Sequence, residues 1–289
     1  MASGATVLAV AAYAPWGANT GVAWLTWLLV AGCWLAGLLW LAKVAVRWGG
    51  GGDKPGRSHG ERMATRWIMG AMLLLMAALA LQIAASTWNW SARVTRLPDG
   101  LEWTYRVARE GWPTTLDMDA TLAALVRYVG LAGFFWAARD WLGTEGEDRG
   151  ARAGSSGRML NGRMQRLAWA LALSGALMAL AGIIHRLDKS TDLLWVMRLR
   201  DTPKEAMFGS FPYRANAGQY FNLLWPLVLG AWWTQRRGGF DASGRQRPAG
   251  ASSFMIVCTA LMIAAVFAAA SRMAIAVAIA QMTAAVMFL

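Results

Sequence analysis

Long apolar runs, separated by short polar interruptions, divide the chain into about eight segments. The pattern predicts helices at about Ala5–Ala14, Val22–Val46, Trp67–Thr87, Thr121–Ala138, Leu167–Ile184, Ala215–Trp233, Ser253–Ala270 and Met273–Leu289. A run of about 20 apolar residues matches the hydrocarbon thickness of a bilayer. Within that layer each backbone amide must be paired inside its own segment, which leaves helices or closed barrels. Barrel strands alternate in polarity, and these runs do not. The expected fold is all-α: a polytopic transmembrane helical bundle of about eight spans forming a single transmembrane domain over 1–289. No water-soluble globular domain can be drawn from it.

Composition sharpens this picture. The chain is 57% apolar and 15% charged, whereas soluble domains carry about 25% charged residues. Net charge is +12, but no soluble segment holds a basic stripe interleaved with aromatics, so no nucleic-acid partner is implied. The excess reads instead as a topology signal. Lys and Arg number six in 43–66, six in 139–166 and four in 234–252, against none in 15–21, four in 88–120, six in 185–214 and one at Arg272. This bias puts the N-terminus, the Gly49–Gly52 loop and the Arg149–Arg166 loop in the cytoplasm, with 88–120 and 185–214 facing outward. Cys33 and Cys258 lie in apolar runs and read as small hydrophobes rather than a disulfide. The start of the chain lacks the basic region and cleavage site of a removable signal peptide. Many of the 18 tryptophans stand at run ends, among them Trp16, Trp48, Trp67, Trp88, Trp90, Trp141, Trp195, Trp232 and Trp233, as in an interfacial aromatic belt.

The two sets of loops differ in kind. Inward ones read as solvated linkers, such as Gly154-Ser155-Ser156-Gly157. Outward ones mix aromatics with charges of both signs, as in Trp103-Thr104-Tyr105-Arg106 and Phe208-Gly209-Ser210-Phe211-Pro212-Tyr213-Arg214. Such residues can build a shaped surface, so a site is expected on the outer face. The last run ends on Met-Phe-Leu without a basic or aromatic flank, which reads as a chain cut short.

Four features carry candidate chemistry, each beside a plainer reading. In Phe208–Pro226, Arg214 stands at the mouth of a span, Ala217 and Gly218 permit close helix approach, and Asn216, Gln219 and Asn222 bring amides into an apolar run. Unpaired at depth, those amides would cost several kcal/mol (about 2–7 each); a polar helix–helix seam is the plain alternative. Ser271-Arg272 forms a tight outer turn whose guanidinium suits a phosphate bidentately, or simply a lipid headgroup. Arg127, about two turns into its span, is costly in a membrane, though near enough to the outer end to snorkel. Asp117 and Asp119 could hold a divalent metal, but sit where a helix N-cap belongs, and capping is the preferred reading. His185 reads as an interfacial residue and His59 has no assigned role. No zinc spacing, P-loop or dinucleotide fingerprint occurs, and no cofactor or metal is implied.

The string Phe208, Gly209, Phe211, Tyr213, Arg214, Ala217, Gly218, Tyr220, Phe221, Asn222, Leu223 and Pro226 resembles the signature of the O-antigen ligase and polymerase family. Ala14-Pro15-Trp16-Gly17, Pro113–Asp117, Leu193-Leu194-Trp195 and Ser271-Arg272 resemble further parts of it. Two positions depart: the family usually has Asn where Ala215 stands and often His where Asn216 stands. The family's large outer loop, with its functional His, would lie beyond residue 289, so this portion alone is expected to be inactive. The resemblance implies a multi-pass glycosyltransferase of the bacterial inner membrane. It would take glycan from a polyprenyl diphosphate carrier at the periplasmic face and pass it to a lipid, glycan or protein acceptor. Arg272 and Arg214 are the candidate catalytic residues. Arg127, Tyr213, Asn216, Gln219, Asn222 and Ser271 are the candidate substrate-binding set. No convincing catalytic base is present, and membrane lipids are the remaining partners. The competing readings are a transporter or flippase for lipid-linked or anionic substrates, and a non-catalytic scaffold.

Overall fold

The computed structural model describes residues 2–17, 23–49, 59–88, 90–96, 102–108, 115, 117–150, 162–188, 192–195, 207–237 and 249–288. Over these residues the chain forms α1 (Ala2–Gly17), α2 (Ala23–Gly49), α3 (His59–Trp88), β1 (Trp90–Arg96), β2 (Glu102–Ala108), α4 (Met118–Gly150), α5 (Gly162–Asp188), α6 (Arg214–Arg237), α7 (Ala249–Ala268) and α8 (Arg272–Phe288). Every expected helix is present. α3 and α4 outrun their apolar stretches most, because the flanking Arg, Glu, Ala and Met residues are themselves good helix formers. Four stretches, Ala23–Val46, Met63–Ala85, Met118–Gly143 and Gly162–Asp188, are long and apolar enough to cross a membrane; Ser253–Ala268 and Arg272–Met287 are shorter apolar helices. The protein is a membrane-embedded helical bundle.

Within 88–120, two stretches form strands and not loop. β1 and β2 pair antiparallel, from Trp90↔Ala108 to Arg96↔Glu102. Val, Thr, Trp and Tyr favour strands, and Pro98-Asp99-Gly100 between them are turn-forming residues. A reading tuned to long apolar runs passes over this short ribbon.

Side-chain contacts sort the helix ends into two groups. At one end Lys43 pairs with Asp140, Arg139 donates to Thr65, Arg163 donates to the Trp141 carbonyl, and Gly4 lies against Trp141. At the other, Tyr13 donates to the Leu25 carbonyl, the Arg127 guanidinium lies 5.7 Å from the Trp27 ring centroid, Ser210 donates to the Pro15 carbonyl, and Gly218 lies against Ser271 and Ala274. Successive helices therefore run in alternating directions. The described ends of the strongly basic segments gather on one side, those of the aromatic-rich segments on the other.

The main core is built by α5, α6, α7 and α8, with Phe208, Phe221, Trp225, Met178, Met255 and Met262 among its fully buried side chains. α6 lies at its centre although Arg214, Asn216, Gln219 and Asn222 make its first half polar. It does so by burying one face, Phe221, Leu224, Trp225 and Val228, against its neighbours. A smaller cluster joins Val7, Ala36, Ala137 and Trp141. Trp141 and Trp232 are buried in these clusters and so do not belong to an interfacial belt. Where Gly37 of α2 meets Gly133 of α4, the backbones nearly touch, an approach that any larger side chain would prevent.

Candidate functional site

Residues 207–211, just before α6, are buried and do not form an exposed outer surface. Phe208 and Phe211 close a tight turn through reciprocal backbone bonds of 2.9 and 3.0 Å, and both rings are buried. Gly209 adopts φ +59°, a conformation open to glycine at little cost. The Ser210 hydroxyl donates 2.7 Å to the Pro15 carbonyl. The turn is a plug that locks α1, α5 and α6 together. Its aromatics serve packing, and it fixes where α6 begins.

From that anchor α6 starts. The Tyr213 carbonyl accepts from the Asn216 and Ala217 amides, so Tyr213 stands at the N-cap with Arg214 beside it. α8 starts in the same way, with the Ser271 carbonyl accepting from Ile275 at 3.0 Å and Arg272 opening the helix. The two starts lie side by side, because a Cβ on Gly218 would overlap the Ala274 Cβ and stand 3.8 Å from that of Ser271. Gly218 is one turn from Arg214, and Ser271 adjoins Arg272. Arg214, Arg272, Tyr213, Asn216 and Gln219 are exposed, and Ser271 is half-buried. Each helix start presents unpaired amides and a positive dipole end. Two neighbouring helix starts, each opened by an exposed arginine, form an arrangement that suits an anion. Tertiary packing thus brings together residues 58 positions apart in the chain.

Arg127 does not join this patch. It is exposed on α4 over Trp27 of α2, whereas α6 packs on α5, α7 and α8, and α8 on α6 and α7. The amides divide as well. Asn222 is buried, and its Nδ2 donates 2.8 Å to the Ala274 carbonyl. Gln281 Nε2 donates 3.1 Å to the Asn222 carbonyl. For Asn222 the polar helix–helix seam is realised, while Asn216 and Gln219 remain at the surface. Gln281 escaped the sequence reading. The signal was there, a lone amide in the apolar run of α8, where intramembrane polar residues are costly enough to need a reason.

Of the acidic pair, Asp117 caps α4, while Asp119 stands exposed in its first turn. Asp117 Oδ1 accepts from the Ala120 amide at 2.9 Å, and Thr121 Oγ1 donates to the Asp117 carbonyl. Asp117→Asn should therefore leave the thermal melt in detergent almost unchanged, since Asn caps as well as Asp, whereas Asp117→Ala should cost about 1 kcal/mol. Equal losses in both variants would show that the carboxylate charge, not the cap, matters. His185 is not interfacial either. It is 2% exposed, its Nε2–H donates to the Asp192 carbonyl at 3.0 Å, and its ring meets Trp195 edge-on. Trp195 in turn donates 2.8 Å to Asp188. Leu194 and Trp195 both hold positive φ, 50° and 61°, so this pin keeps a strained turn against the end of α5.

No family model, curated protein or solved structure matches the chain.

Proposed function

We propose that this protein is a glycosyltransferase of O-antigen ligase or polymerase type in the bacterial inner membrane, with eight spans, a cytoplasmic N-terminus and the Arg214–Arg272 patch on the periplasmic side. Support comes first from that patch: two neighbouring helix starts, each opened by an exposed arginine, concentrate positive charge at a membrane surface. In the reaction, an acceptor hydroxyl oxygen attacks the anomeric carbon of the carrier-linked glycan. The bond from that carbon to the diphosphate oxygen breaks, the hydroxyl proton passes to a base, and the polyprenyl diphosphate departs with one more negative charge. Fixed cations at the place where charge develops lower such a barrier. Arg214 and Arg272 are assigned that task; Tyr213, Ser271, Asn216 and Gln219 border it and are assigned to the sugar or diphosphate. Asn222, being buried in the seam, positions α6 against α8. Arg127, on another flank, is assigned to headgroups or the acceptor side. Lipid-linked sugar, growing glycan and protein all fit as acceptors.

The deciding experiment is transfer by the full-length protein from a diphosphate-linked glycan donor in proteoliposomes. Glycan appearing on an acceptor is the expected result. Movement of the donor across the bilayer without transfer would replace this reading by a flippase. Sidedness is checked separately. Cys33 and Cys258 are buried, so a cysteine introduced at position 214 or 272 should react with a membrane-impermeant thiol reagent added from outside. Reaction only after the cytosolic face is opened would overturn the orientation.

A further inference from the structure

Midway along α2, α3 and α4, an apolar cleft of about 250 Å³ lies between them and reaches from Val129 to Trp136 on α4. Its lining includes Trp40 and Trp136, stacked with ring centroids 6.2 Å apart and planes 21° apart, and three methionines of α3, Met69, Met72 and Met76. Leu38 and Leu73 on its rim are exposed, so the cleft faces the lipid.

One turn beyond Trp136, the apolar lining gives way to charge. The Arg139 guanidinium lies 5.1 Å from the Trp136 ring centroid, and its Nη2 donates 2.5 Å to Thr65 Oγ1. Its Nη1 is buried and has no hydrogen-bond partner among the described residues. The nearby carboxylate does not answer it, because Asp140 is paired with Lys43 at 2.5 Å. Arg66, exposed and next to Thr65, adds a further cation at this level. A buried guanidinium donor left unpaired is costly. The place therefore wants an anionic acceptor at the membrane surface whose tail is apolar.

We propose that this cleft binds one anionic phospholipid of the surrounding membrane, an acyl chain lying along Trp40 and Trp136 and the phosphate held by the charge of the half-buried Arg139 guanidinium and of exposed Arg66. A guanidinium fork suits phosphate oxygens, and basic pockets between membrane helices hold anionic headgroups. A zwitterionic headgroup fits less well, since its own cation would meet Arg66 and the Lys43 side of the ion pair. Methionine-rich walls adapt to a flexible chain. The assignment does not depend on the transferase reading, because it concerns α2, α3 and α4 and not the starts of α6 and α8.

The test is native mass spectrometry of the purified full chain in detergent, titrated with phosphatidylglycerol and with phosphatidylcholine of the same acyl chains. Wild type should hold one phosphatidylglycerol about tenfold more tightly than phosphatidylcholine, the scale of one charge-assisted hydrogen bond. Arg139→Gln should bring the two lipids level. Arg139→Lys, which keeps the charge and loses the fork, should retain part of the preference. Ala132→Leu, which narrows the cleft and leaves Arg139 in place, should weaken both lipids together. Equal binding of the two lipids to wild type, a result that needs no variant, would overturn the proposal. So would a glutamine variant that still prefers phosphatidylglycerol as wild type does.

Discussion

Arg272→Ala is expected to lower glycan transfer by about 10²- to 10³-fold, the range seen when one preorganised donor to a developing anion is removed. The effect should fall mainly on kcat. The carrier diphosphate is already charged in the ground state, so part of the arginine's attraction is spent equally on substrate and transition state and appears in KM. The additional charge formed as the sugar–oxygen bond breaks is felt only in the transition state, and kcat carries that part. Arg214→Ala should behave alike. If both guanidinium groups grip one diphosphate, the double variant should fall well short of the product of the single effects, because groups acting as a unit are not additive. Arg272→Lys keeps the charge on a flexible stem and loses the bidentate fork, so it should retain more activity than alanine. Arg127→Ala should change the rate by only a few fold, in keeping with its place on another flank. Steady-state kinetics with a defined diphosphate-linked donor supply the readout. Single alanine variants that fold normally and work within twofold of wild type would remove both arginines from the chemistry.

The largest structural effect is expected at Gly182. A Cβ there would fall within the Phe208 ring, only 2.5 Å from Cδ1 and closer still to Cε1. That ring cannot yield cheaply: it is 1% exposed, packs edge-on against Phe221, and belongs to a turn closed by two backbone hydrogen bonds. Gly209, at positive φ, brings its backbone against Gly182 from the same turn. Gly182→Ala should then cost about 1–3 kcal/mol, the usual range for overpacking, and Gly182→Leu more than that. Because the turn leads into α6, the leucine variant should also lose the Arg214 patch and with it transfer. Thermal melting in detergent, followed by size-exclusion chromatography, measures this. Gly230→Ala is the control, since nothing lies within 4 Å of the added methyl. A leucine variant at 182 that melts with wild type would mean the buried turn does not hold the bundle together.

Much of the helical architecture was legible in the chain because the signal is local. Run length and apolarity alone decide that a segment is helical within a membrane, and each expected helix is present. Asp117 was legible as a cap for the same reason, three residues before the amide it satisfies. Short-range signals of another period were missed. The β1–β2 ribbon lies between long apolar runs, and a helical reading does not look for it.

What amino-acid order alone determined is therefore a membrane-embedded helical bundle, its alternating polar ends, and arginines at the starts of two helices. What only the tertiary structure decided is which of those starts meet. The contact of Gly218 with Ala274 sets α6 beside α8, and so puts Arg214 near Arg272 and leaves Arg127 apart. It also decided that the Phe208–Phe211 aromatics are a buried plug, that His185 pins a turn, and that Asn222 and Gln281 share a seam. The physical reason is that hydrophobicity selects an environment for each helix but not a neighbour. Neighbours are chosen by close fit between small residues and by the need to pair a few buried polar groups, and both depend on residues far apart in the chain.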